Sequence, residues 1–146
     1  MKPYPHVYSA TATGTVQGSV TAASPGLPPI ATAPPAEFDG PGDAWSPETL
    51  LVAAIADCFI LTFRGVSRAA TFDWEQLECA VEGTLERVDG VTRFSRYTTR
   101  ATLTVGAGAD QAKARALLER AEKVCLVANS LRGERFLETT VVTSAK

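Results

Sequence analysis

Histidine and cysteine are scarce in this chain. Its 146 residues hold one histidine, His6, and three cysteines, Cys58, Cys79 and Cys125, with no CxxC or HxxxH spacing among them. That excludes the usual zinc and iron ligand sets, so no metal is expected. An odd number of widely separated cysteines is also unlike the dense, even-numbered framework of a small secreted protein. Neither GxGxxG nor a P-loop pattern occurs, so no nucleotide cofactor is expected. Charge of one sign is lacking too. The formal net charge is −2, which offers no basic field to nucleic acid or to an anionic membrane. Long apolar runs are missing: the nearest candidate, 50–63, is shorter than the roughly 20 residues of a membrane span and carries Asp57. The opening MKPYPHVYSATATG has no apolar core of signal-peptide length. A cytoplasmic protein is expected, with neither nucleic acid nor membrane as a partner.

What is present suffices for one domain over 1–146, with 45% apolar and 21% charged residues. Residues 7–23, VYSATATGTVQGSVTAA, read as hairpin strands punctuated by Gly14 and Gly18. A Pro/Gly-rich stretch follows, with a short strand around Ile30, so 1–45 is a hairpin and a long loop. SPETLLVAAIADCFILTF then opens a helix over 46–70. Ser46 is a good N-cap, Pro47 suits the first helical position, and Glu48 suits the positive end of the dipole. Almost every residue from Leu50 to Phe63 is apolar, which predicts a helix covered on all sides.

The remainder, 71–146, reads β-β-α-β. In WEQLECAVEGTLERV, Leu77, Cys79, Val81 and Leu85 alternate with acids, as in a half-buried strand. Asp89-Gly90 signals a type I′ hairpin. In the return strand Tyr97, Thr99, Ala101, Leu103 and Val105 take the inner face. DQAKARALLERAEKVCLVANSL has helical periodicity throughout, with Cys125 in its last turn, and 135–143 forms a final strand. The element order predicts an α+β fold built on antiparallel sheet.

Cys79, on the inner face of a strand, reads as a small core residue. Cys58 and Cys125 sit on the inner faces of two helices. Two thiols able to pair in a cytosolic protein favour redox chemistry over a structural staple. Asp57 beside Cys58 needs a partner or a polar cavity, and Arg64, seven positions on, lies on the same face.

SPETLLVAAIADCF resembles the helix motif of the OsmC/Ohr family, the osmotically inducible and organic hydroperoxide resistance proteins. In that family an (S/N)PE start precedes the reactive cysteine by ten positions. CLVANSLRGE is similar to the family's second cysteine motif, and ATATG, PPAEFDGPG and the element order agree with it across essentially the whole chain. The resemblance implies an OsmC-like, intertwined α+β homodimer with a buried central helix and a second, Cys-bearing helix. It implies a thiol peroxidase for organic hydroperoxides, acting in oxidative stress defence without a bound cofactor. Cys58 would become a sulfenic acid, Cys125 would resolve it to a disulfide, and an external dithiol, small molecule or protein, would reset the enzyme. Glu48 belongs to the matching motif. At helical rise it lies about 15 Å from its own Cys58, so a direct role requires another subunit or a folded-back loop, a hint of a site built in a dimer.

Two positions depart from the family pattern. The arginine expected in the N-terminal hairpin is absent, the region reading ATATGTVQG, and Leu126 replaces the usual proline after the second cysteine. A thiolate in an apolar pocket needs a positive charge or hydrogen-bond donors; Arg64, Arg93, Arg96 and Arg100 are the candidate activators. Two other readings remain: an OsmC-like protein that binds a small apolar or electrophilic ligand, or senses redox state through Cys58, and a protein in which all three thiols are core.

Overall fold

The computed structural model describes residues 1–145, and the chain divides between Leu51 and Val52 into two compact units. In the first, β1 (Thr11–Thr13), β2 (Val20–Ala23) and β3 (Ile30–Thr32) form a three-stranded antiparallel sheet in the order β1-β2-β3. The expected hairpin and short strand are present but shorter than the sequence pattern. A one-turn 3₁₀ helix, Ala36–Phe38, follows. A Cβ at Gly40 would fall 1.7 Å from the Pro34 carbonyl oxygen, so only glycine lets this loop close.

Helix α1 (Pro47–Ala69) begins in this first unit. Ser46 caps it as expected: its Oγ accepts from the Thr49 N–H at 3.1 Å, and Thr49 Oγ1 accepts from the Ser46 N–H at 2.8 Å. This is a capping box with threonine in the reciprocating position.

The second unit holds β4 (Gln76–Val88), β5 (Val91–Val105), α2 (Gln111–Val124), α3 (Leu126–Asn129) and β6 (Glu134–Thr143). Asp89 and Gly90 turn the β4–β5 hairpin with φ of 51° and 79°, the positive values that a type I′ turn requires. Tyr97, Thr99, Ala101, Leu103 and Val105 are all buried, as their alternation predicts. They meet one stripe of α1, Ile55, Phe59 and Phe63, and one stripe of α2, Ala114, Leu118 and Ala121. Each stripe keeps the i, i+4 or i, i+3 spacing of a single helix face.

The α+β class and the element order hold, with four differences. The β6 strand pairs with β5 in parallel, Tyr97 opposite Arg135, so this sheet, ordered β4-β5-β6, is mixed rather than antiparallel. Helices α2 and α3 carry the chain back along the sheet, and a return of that kind delivers a parallel strand. A bulge between Thr84 and Leu85 shifts the β4 register, leaving Leu85 37% exposed rather than inward. Helix α1 is not covered on all sides: its buried residues are Ile55, Phe59, Phe63 and Ser67, while Leu61 is 55% exposed. By length and composition it alone among the described residues would suit a membrane span, yet its apolar stripe faces the sheet. Finally, the helix expected to run through Cys125 breaks there.

Candidate active site

Gly83 sets how closely α1 approaches the sheet. A Cβ at this position would lie 2.9 Å from the Phe94 ring and 3.0 Å from Val52 Cγ1. Glycine therefore lets the helix settle onto β4 and β5. That contact places Cys58 in a cluster with Ile55, Val81, Phe94, Tyr97, Cys125, Ala128, Val127 and Leu131. Cys58 and Cys125, 67 positions apart in sequence, are thus brought together, and both are free thiols.

The break in the helix makes the site. Cys125 takes an extended conformation, φ −63° and ψ 108°, which ends α2 and serves as the N-cap of α3. Its carbonyl then accepts from the Asn129 N–H at 2.9 Å, as at any helix start. The first N–H groups of a helix have no partner within it; here the start of α3 packs at Cys58, with Val127 in the same cluster, and the Val127 and Leu126 N–H groups work to lower the pKa of that thiol. Apolar periodicity continues from α2 into α3 without interruption, so the sequence alone reads as one helix.

Burial works to raise the Cys58 pKa, but the hydrogen bonds outweigh it: the Val127 N–H, the Cys125 thiol, the Thr62 hydroxyl and the Leu126 N–H together hold it below the ordinary thiol value. Thr62 lies one turn along α1, its Oγ1 3.7 Å from the sulfur. Cys125 goes the other way. Burial first, and then the hydrogen bond and charge of the neighbouring Cys58 and the charge of Glu122, push it up to about 11, against a smaller opposing bond from the Ala128 N–H. The two thiols are thus shifted in opposite directions, Cys58 toward the thiolate and Cys125 toward the protonated form.

The thiolate support comes from main chain and neutral side chains. None of the four arginines considered as activators is among the groups that hydrogen-bond Cys58. Arg100 pairs with Glu82 and Glu138, at 3.0 and 2.7 Å, on the exposed face of the sheet. Arg96 stacks over the Phe136 ring at 4.6 Å. Asp57 and Arg64 are both exposed, and no ion pair joins them among the described residues. Water solvates Asp57, so this acid does not need the buried partner that its apolar neighbours in sequence suggest. Cys79 packs at the edge of the main core; burial, followed by the charges of Glu122 and Cys125, pushes its pKa to about 12, so it is a protonated thiol at neutral pH.

Glu48 stands in the first turn of α1, half-buried, with Oε2 enclosed and without a hydrogen-bond partner among the described residues. A buried carboxylate oxygen in that state is uncommon.

The sequence marks Leu126 only as a departure from the family pattern, because its contribution to the site is an N–H rather than a side chain. Its side chain is 69% exposed. Position 126 opens α3, where proline is tolerated, and the extended Cys125 suits a residue before proline. Leu126→Pro therefore deletes one donor to Cys58 with little disturbance of the fold. The inflection of Cys58 alkylation against pH should rise by about half a unit, leaving roughly threefold less thiolate below it. An unmoved inflection would show that this N–H contributes nothing.

Two free thiols with oppositely shifted pKa values, packed together on a helix and on a helix break over a mixed sheet, define a two-cysteine α+β protein. The chain belongs to the OsmC-like family, whose sequence profile matches residues 40–140. A relative from Bacillus subtilis strain 168, the uncharacterized protein YmaD, is 30% identical over 112 residues, 73% of this chain and 75% of its own. An organic hydroperoxide resistance protein OsmC from Legionella pneumophila is 28% identical in sequence and superposes with a TM-score of 0.75 over 96% of this chain and 99% of that one. An OsmC-like protein of unknown function from Vibrio cholerae reaches a TM-score of 0.84 at 18% identity, over 92% and 99%.

Proposed function

We propose that this protein is a thiol peroxidase that reduces organic hydroperoxides. The observation that carries the reading is the Cys58 sulfur, set in an apolar cluster and supplied with hydrogen bonds from Val127, Leu126, Thr62 and Cys125. The Cys58 thiolate attacks one peroxide oxygen, forming an S–O bond as the O–O bond breaks. The alkoxide leaves as the alcohol after taking a proton from solvent, and Cys125 stays a protonated thiol through this step. Cys125 then attacks the Cys58 sulfenic acid, forming the disulfide and releasing water. An external dithiol supplies the two electrons that restore both thiols. The apolar wall favours alkyl substrates over hydrogen peroxide, by about 0.8 kcal/mol for each CH₂ buried.

The active form in this reading is a homodimer in the cytoplasm. Ala54 and Leu61 on α1 are exposed, and so are Tyr4, Val7 and Tyr8 in the N-terminal segment. A second copy would cover such surfaces and offer Glu48 the donor that its buried oxygen lacks. The Legionella relative, an organic hydroperoxide resistance protein, supports the same substrate class.

Mass spectrometry of the reduced protein after one equivalent of cumene hydroperoxide tests the proposal. The expected product has lost a hydrogen from each of two thiols and maps to a Cys58–Cys125 disulfide within the dead time of manual mixing. Oxidation only at the pace of an ordinary free thiol would overturn it and favour a ligand-binding member of the family.

A further inference from the structure

Cys125 interrupts the helix and leaves unpaired backbone groups of both kinds: N–H groups at the start of α3 and carbonyls at the end of α2. The start of α3 packs at Cys58, with Val127 in its cluster. The carbonyls are taken from the other side. Arg135 on β6 donates through Nη2 to the Glu122 carbonyl, and Asn129 Nδ2 donates to the Lys123 carbonyl at 3.0 Å. Arg135 also donates through Nε to Glu122 Oε1 at 2.8 Å and through Nη1 to Asn129 Oδ1 at 2.6 Å. One guanidinium therefore grips both sides of the break. Its side chain is 27% exposed and that of Glu122 is 16% exposed, so water competes weakly for these bonds. The Arg135 backbone is itself held in register opposite Tyr97, a member of the cluster around Cys58.

We propose that Arg135 is a positioning residue for Cys58: by bridging Glu122 on α2 and Asn129 on α3, it holds the break at Cys125 so that Cys125, Val127 and Ala128 stay packed in the cluster around the sulfur. The inference rests on Cys58 being the reactive thiol, but its test needs no turnover. Lysine would keep the charge and lose the fork, since an ammonium cannot span three acceptors set in a plane. The proposal thus separates geometry from charge. The titratable and charged groups of the surrounding elements are Asp57 and Arg64, exposed on α1, Cys79 on β4, Tyr97 on β5, and Glu122 and Cys125 at the end of α2.

The test is the pH profile of Cys58 alkylation by iodoacetamide, mapped by mass spectrometry in the full chain, with folding checked by circular dichroism. Arg135→Lys and Arg135→Gln should raise the inflection alike, by about half to one unit, slowing alkylation below it roughly three- to tenfold. Asn129→Ala leaves the Arg135–Glu122 ion pair in place and should move the inflection in the same direction; it decides the matter if the arginine variants do not fold. Recovery of the wild-type profile by lysine would mean that charge alone acts. An unmoved profile in folded Asn129→Ala and Arg135→Lys would overturn the proposal. Failure of the peroxidase reading would instead appear in the wild type, as a missing Cys58–Cys125 disulfide.

Discussion

Cys58→Ser is expected to abolish peroxide turnover, lowering the rate of cumene hydroperoxide consumption with a dithiol reductant by on the order of 10³-fold or more. Serine keeps the size and hydrogen-bonding capacity of the side chain but is far less acidic, and it has no sulfur to accept oxygen. The hydrogen bonds that lower the Cys58 pKa cannot bring a hydroxyl into the accessible range. Stability should hardly change. Cys58 is half-buried at the rim of its cluster, so the exchange should cost about 1 kcal/mol or less and lower Tm by no more than about 4 °C. Lost turnover with an unchanged melting curve separates the enzyme from a protein whose three thiols only fill the core. If turnover persisted, another group would have to be the nucleophile. Cys79 and Cys125, pushed up to about 12 and about 11, are poor candidates.

Cys125→Ser should let the first oxidation run at close to the wild-type rate and then stop the cycle, with steady-state turnover falling on the order of 10²-fold. A serine hydroxyl at 125 still donates to Cys58, so the first thiolate keeps most of its support. The sulfenic acid then has no thiol beside it; it should be captured by dimedone at Cys58 and, with excess peroxide, pass to the sulfinic acid. Steady turnover by this variant without Cys58 overoxidation would remove Cys125 from the resolving role.

The pKa ordering explains why the two thiols do not compete. With a pKa of about 11, Cys125 is only about 10⁻⁴ thiolate at neutral pH, so peroxide meets Cys58 first. Part of what raises Cys125 is the hydrogen bond and charge of Cys58 itself. Once Cys58 is a sulfenic acid that charge is gone, and Cys125 becomes easier to deprotonate when its attack is required. The second step should therefore accelerate with pH over a range in which the first has already levelled off, a difference that stopped-flow traces of the two phases will show.

Much of the fold was legible because its signals are local. The Asp89-Gly90 turn follows from two residues that accept positive φ. The inner face of β5 follows from strict alternation, and the start of α1 from a Ser46 that caps within four positions. The two cysteine motifs also stand in the sequence, and they carry the resemblance to the family.

The decisive features of the site were not local. Nothing between Asp110 and Leu131 marks Cys125 as a break, because the apolar spacing of α2 carries on into α3. The break is compensated by partners distant in sequence: Cys58 packs at the start of α3, whose N–H groups help to lower its pKa, and Arg135 donates to a freed carbonyl. The parallel pairing of β6 and the bulge at Thr84/Leu85 are likewise settled by what lies alongside. Side-chain types and their spacing are properties of the chain by itself, and they determined the elements, their faces and the identity of the thiols. The acidity of Cys58 belongs to the folded molecule, because a backbone N–H is the same in every sequence and acquires a role only when tertiary packing chooses its acceptor.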